Sequence, residues 1–289
     1  MSVHIITDSA ADLARDADPA LTVLPMSVAF GSETYRDGVD LTGERFYEKL
    51  VEGDELPTTG QVTPYAFSQA IEEARAADGA ADGIVIVTVS SKLSGTYQGA
   101  CAAADGAGGE DAGVHVVDSL NVTVGEHVLV DLALRLAHAG LPAAAIAREL
   151  ERERGRVRVV GLLDTLEYLR RGGRVPAATA AIGELLSIKP VVAVDDGEVV
   201  VRGRARGSKN GRNLLSREVE RSGGIDFAMP VRLGYAGLSD KLLQKYIDDS
   251  AHLWEGHIER GRLPVTRVGA TIGTHVGPGA IALGWFARG

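Results

Sequence analysis

Six β-forming residues in a row, Ile84 to Val89, predict a strand buried on both faces, the kind found inside a parallel sheet. The run empties into Ser90-Ser91-Lys92-Leu93-Ser94-Gly95-Thr96 and then into the helix-compatible segment Tyr97–Ala103. A hydroxyl-rich turn between strand and helix gathers unpaired backbone N–H groups, which Ser94 or Thr96 can cap and which an anion can also occupy. Two more segments share this grammar. Val3–Ile6 ends in Thr7-Asp8-Ser9, and Val114–Val117 ends in Asp118-Ser119. If the three strands are parallel, their polar tips lie along one sheet edge, where ligands of open α/β sheets bind. Each tip taken singly is equally well an N-cap.

The rest of the pattern predicts further elements. Leu21–Phe30, with Pro25 inside, reads as one irregular edge strand, and Thr42–Glu52 as a helix opened by Thr42. Glu55–Pro64 is a breaker-rich loop with three threonines between two prolines. Thr63 can cap the helix over 65–78, while Thr58 and Thr59 have no local task and are the loop's candidates for reaching a ligand. Residues 123–155 predict two helices broken at Gly140-Leu141-Pro142. The mixed-charge run Glu149–Arg158 is the natural boundary between two domains, 1–156 and 157–289. Val157–Leu163 returns to strand. Leu166–Val175 is a short helix ended by Gly172-Gly173, and an Ala-rich helix runs on to about Leu186. Asp195-Asp196-Gly197 joins a hairpin, 213–222 and 239–260 read as helices, and Val231–Tyr235 and Val265–Thr271 as strands. The closing Gly273-Thr274-His275-Val276-Gly277-Pro278-Gly279 reads as neither core nor helix face, which makes His275 a ligand-facing candidate.

Composition narrows the classes. A chain of 289 residues exceeds one ordinary core, so two domains are the default. A formal charge of −9 argues against a nucleic-acid binder, although residues 200–212 hold five basic and no acidic side chains and form a candidate docking patch. The single cysteine, Cys101, excludes an internal disulfide and a Cys-based zinc cluster, and its alanine-rich surroundings suit a small core residue. No signal peptide and no membrane-spanning run are recognisable, so a cytoplasmic location is expected. The phosphate-binding loops G-x-x-x-x-G-K-[ST] and G-x-G-x-x-G after a strand are absent, as are H-E-x-x-H and G-x-S-x-G. A small-molecule kinase would need its own nucleotide and metal site, and neither is recognisable. A Ser94/His275/Asp8 lipid hydrolase or acyltransferase can still be assembled from these parts, provided that His275 reaches Ser94 and an acid orients it.

Taken in order, several stretches resemble the DegV family, whose fatty-acid-binding members include the FakB proteins. They are Thr7-Asp8-Ser9-Ala10-Ala11-Asp12-Leu13, Pro57-Thr58-Thr59-Gly60-Gln61, Ser90–Tyr97, Val117-Asp118-Ser119, Leu166–Leu169 with Gly172-Gly173-Arg174, Ile188-Lys189-Pro190, and Thr274–Gly279. The resemblance implies an α/β fold of two domains, the first Rossmann-like with a parallel sheet and the second with a mixed sheet, and a long-chain fatty acid between them. It places the carboxylate on Thr59, Ser94 and His275, with Ser91 as an additional contact. It also implies a non-catalytic protein without a cofactor, which presents the carboxylate of its ligand to a separate ATP-dependent fatty acid kinase. Arg174, Arg202 and Arg206 are then the docking candidates, and transient contact with a membrane surface fits the same reading. A tail of roughly C14–C18 would supply about 0.8 kcal/mol per buried methylene, so hydroxyl and imidazole donors suffice for the head. One departure stands out: Gly60 and Val62 replace the serine and proline usual around the loop glutamine, which predicts a more flexible loop.

Overall fold

The computed structural model describes residues 3–53, 55–76, 83–175 and 188–289. Its first half is built on a parallel sheet in the order β2-β1-β6-β7, formed by β1 (Val3–Asp8), β2 (Leu21–Leu24), β6 (Gly83–Thr88) and β7 (Val114–Asp118). All six residues of β6 are buried. Alternation sends Ile84 and Ile86 into one apolar cluster and Val85 and Val87 into another. Helices α2 (Pro64–Ala76) and α3 (Thr96–Gly106) contribute to the first cluster, and α4 (Val124–His138) and α5 (Ala143–Glu153) to the second. The three strand tips do lie on one edge.

A second sheet begins at Val157. Its order is β10-β9-β8-β13-β11-β12, from β8 (Val157–Leu162), β9 (Ile188–Asp195), β10 (Glu198–Arg206), β11 (Val231–Tyr235), β12 (Val265–Arg267) and β13 (Ile281–Phe286). Every pairing is antiparallel except β11 with β12, so this sheet is mixed. Helices α7 (Gly207–Arg221) and α8 (Lys241–Asp249) supply the apolar residues that cover its outer face. Between β8 and β9 lies the short α6 (Glu167–Arg171). The predicted Ala-rich helix reaching Leu186 falls on 176–187 and lies outside the described residues.

Four expectations need correction. Leu21–Phe30 is two strands, because Pro25 cannot continue the β1–β2 ladder. The second of them, β3 (Ser27–Phe30), joins a small antiparallel sheet with β4 (Glu33–Arg36) and β5 (Thr58–Gly60). The "loop" threonines Thr58 and Thr59 are therefore in a strand. The 239–260 helix breaks after Asp249, where the buried Ser250 turns its hydroxyl back to the carbonyl of Tyr246, and a four-residue α9 (Ala251–Trp254) follows. Finally, the strand expected to Thr271 stops at Arg267, and Ala270–Val276 forms α10, so His275 sits in the last turn of a helix.

The two sheets meet through α4. Its first turn lies so close to β13 that a Cβ on Gly284 would overlap the backbone carbonyl of Val124. Backbone against backbone leaves nothing flexible to yield. Gly284→Ala is expected to cost about 3 kcal/mol, seen as a lower urea midpoint at unchanged m-value.

Candidate functional site

A cavity of about 420 Å³ lies between the halves, within the roughly 300–1,000 Å³ of ligand pockets. Its wall is mainly aliphatic, with Met26, Val122, Leu163, Leu169, Val192, Val268 and Ile272 among the lining side chains. The space arises from missing side chains. Along one row of the second sheet Val192 faces Gly161, Gly161 faces Ala282, and Ala282 faces Gly234. Val124 and Val268 fill the room over Gly234, whereas the room over Gly161 and Ala282 is cavity.

Thr59, Ser94, Arg174 and His275 line this space from four segments, together with the polar residues Gln61, Thr123 and Thr271. Thr59 is held in the β3–β5 ladder opposite Val28, and its Oγ1 lies 3.0 Å from Nε2 of His275. The neighbouring Gly60 pairs with Ser27, whose hydroxyl occupies the place where a Cβ at 60 would sit. Glycine here accommodates Ser27, so the strand pairing replaces the loose loop expected from the sequence. Ser94 Oγ is 2.9 Å from Oγ1 of the buried Thr96, and Thr96 Oγ1 in turn accepts from the backbone N–H of Val62. The serine turn is thereby stitched to the segment that follows Thr59. The helix α3 has Gly95 as its N-cap, with no side-chain cap, while Ser94 Oγ accepts from the N–H of Thr96.

His275 is a neutral imidazole at physiological pH. Burial, with a smaller contribution from the Arg174 charge, pushes its pKa down to about 4. Its Nδ1 is buried without a hydrogen-bond partner and lies against Gly172, where any Cβ would overlap it. A bare Nδ1 favours the tautomer with the proton on Nε2, which donates to Thr59 and leaves the threonine hydroxyl free to donate onward.

Arg174, a docking candidate from the sequence, lines the cavity. The helix α6 ends at Gly172, and Gly173, at φ +70°, turns the chain back. The guanidinium then bonds the carbonyls of Leu93 and Gly172 beside the serine turn. A lone arginine after two glycines reads equally as a helix-end cation, so the sequence carried no signal for this placement. Arg202 and Arg206 are exposed on the edge strand β10, and Arg202 pairs with Asp195 at 2.9 Å. The three arginines do not share one site. Ser91 is not among the lining residues; its backbone N–H is tied to Asp118.

The parts of a hydrolytic triad are present but not connected. Among the described residues no hydrogen bond joins Ser94 to His275, and no acid bonds Nδ1. Asp8 spends one oxygen on the N–H of Ala10 and the other on that of Val89. Among the described residues no group of three His, Cys, Asp or Glu side chains could hold a metal ion, and no helix is long and apolar enough to cross a membrane. Cys101 is half-buried, and burial pushes its thiol up, away from nucleophilic reactivity.

Comparison with known proteins gives a consistent set of matches. A family profile described as an uncharacterised protein of the DegV family matches residues 2–288. The chain is 31% identical over 280 residues to a DegV domain-containing protein of Caldanaerobacter subterraneus, with 96% of each chain covered. Among solved structures it is similar to a DegV family protein of Thermus thermophilus described for its fatty acid binding, with a TM-score of 0.85 and 32% identity over the whole of both chains. DegV of Bacillus subtilis, a fatty acid binding protein, matches with a TM-score of 0.81 and 27% identity, again over both whole chains.

Proposed function

The chain belongs to the DegV family, and we propose that it carries one long-chain fatty acid, its tail in the aliphatic cavity and its carboxylate among Thr59, Ser94 and His275. The observation that supports this most is the composition of the cavity, a mainly aliphatic chamber with the bonded pair Thr59 and His275 in its wall. Such a chamber suits a ligand with one acidic end and a long apolar remainder. The hydroxyls and the imidazole supply hydrogen bonds to a carboxylate, and Arg174 adds a positive charge at the same end. In this reading the head group thus meets a cation as well as hydroxyls, and that cation is partly occupied by two backbone carbonyls.

The finer part of the proposal concerns what happens next. In this reading the carboxylate is offered to a separate ATP-dependent kinase, whose γ-phosphate it attacks to give an acyl phosphate and ADP. In this reading Arg202 and Arg206 meet the kinase, while Arg174 acts on the ligand. The protein itself performs no chemistry.

Solvent extraction of the purified protein followed by mass spectrometry is the direct test, and an intact acid of roughly C14–C18 is the expected result, its affinity coming from about 0.8 kcal/mol per methylene. Ser94→Ala removes one donor to a charged group, about 1.5–3 kcal/mol, and should lower affinity by about 10- to 100-fold. Covalent labelling of Ser94 by a serine-reactive phosphonate, with no extractable acid, would replace the carrier with a hydrolase.

A further inference from the structure

The helix that carries His275 is too short to hold itself in place. At seven residues, α10 has little intrinsic stability and depends on its surroundings. Those surroundings are unusual, because the N–H groups at its start are received by carboxylates from the other end of the chain. Asp37 accepts from Ala270 with one oxygen (3.1 Å) and from Thr271 with the other (2.9 Å), and Asp12 accepts from Gly269 at 2.7 Å. Asp37 is itself buried, just beyond β4. One turn further along, a Cβ on Gly273 would overlap Phe46 and the Tyr47 hydroxyl of α1 (Gly43–Glu52), so the helix lies flat against a rigid aromatic surface. Between these two contacts α10 can neither slide nor roll.

From this we propose that Asp37 is a positioning residue for His275: by clamping the first turn of α10 it sets where the imidazole stands relative to Thr59. The proposal rests on the fatty-acid reading of the same site and extends it to a residue that does not touch the cavity. Thr271, Ile272, His275 and Val276 all line the cavity, and they share the one short helix that Asp37 holds. A shift of the helix start therefore moves the head-group contact and part of the apolar wall together. Burial raises the pKa of Asp37 above its usual value, and the hydroxyl and N–H of Thr271, the N–H of Ala270 and the Ser9 hydroxyl act against that rise.

Asparagine makes a sharp test, because it is nearly the same size and has only one acceptor. In Asp37→Asn one N–H of α10 must face the amide NH2, and that pair of donors cannot be satisfied. The readout compares a fatty acid with the fatty alcohol of the same chain, alongside the ring 15N resonances of His275. Loss of positioning should weaken the acid by about tenfold or more, weaken the alcohol distinctly less through the shared apolar wall, and shift the His275 resonances. Equal losses for acid and alcohol, or unmoved His275 resonances, would overturn the proposal. Asp37→Glu keeps both acceptors on an arm one methylene longer. It serves as the second variant if the asparagine protein does not fold, with the same selective loss expected. Should the wild type bind neither ligand, the lipid reading fails, and the His275 resonances still decide the role of Asp37.

Discussion

Gly161→Leu is expected to give a folded protein that has lost most of its affinity for a long-chain acid. Gly161 sits in the middle of β8, hydrogen-bonded on both sides, opposite Val192 and Ala282. An added Cβ meets Ile281 O at 3.5 Å and Val192 Cγ2 at 3.6 Å, ordinary contact distances, so the strand has no reason to move. The remaining atoms of the leucine have one place to go, the cavity over the sheet. If they displace about four methylenes of the tail, the loss is about 3 kcal/mol, or roughly two orders of magnitude in Kd. Shorter acids should be affected less, since their tails do not reach the filled space. Titration with acids of graded length, together with a thermal melt, checks both halves of the expectation. Uniform weakening at every length would mean that Gly161 does not floor the tail channel.

The elements that were legible in the sequence are those fixed by neighbours along the chain. Alternation and β-branching placed β1, β6, β7 and β11, and local capping placed the start of α1, where Thr42 Oγ1 accepts from the N–H of Arg45. The convergence of Thr59, Ser94 and His275 on one cavity followed from the resemblance to a family, because three segments so far apart share no local signal. What the sequence could not convey depends on distant partners. Thr58–Gly60 looks like a turn until Ser27–Ala29 pairs with it. Ala270–Val276 contains two β-branched threonines, an isoleucine and a glycine, poor helix material that adopts a helix because Asp12 and Asp37 receive its first N–H groups. The cavity itself had a faint signal: glycines at 161, 234 and 284 inside apolar strands, where glycine usually means that something approaches closely. At 284 and 234 the thing that approaches is α4, and at 161 the space is cavity.

The same logic of empty space applies at the head group, where Gly172→Ala should separate binding from stability. Gly172 has φ −72° and ψ −10°, a conformation any residue adopts, so the backbone does not require glycine there. By the unfolded-chain argument alone, alanine at such a position stabilises by about 0.4–1 kcal/mol. The imidazole is the obstacle. An added methyl would overlap Nδ1 and stand 2.8 Å from Cε1 of His275, and the carbonyl of Tyr168 closes the other side at 3.2 Å. Relief on the helix side is blocked in turn, because a Cβ at Gly277 would strike the Tyr168 ring, so α6 and the end of α10 are already in close contact. The ring has to give way, and its 3.0 Å bond to Thr59 is broken. Losing that bonded pair at a charged head group is worth about 1.5–3 kcal/mol, a 10- to 100-fold fall in affinity for the acid. The overpacking and the stiffer unfolded chain act in opposite directions on stability, each by about 1 kcal/mol, so the melting temperature should move little. An affinity that survives the substitution would show that His275 can leave Thr59 without consequence, and the carboxylate would then have to be held by Ser94 and Arg174 alone.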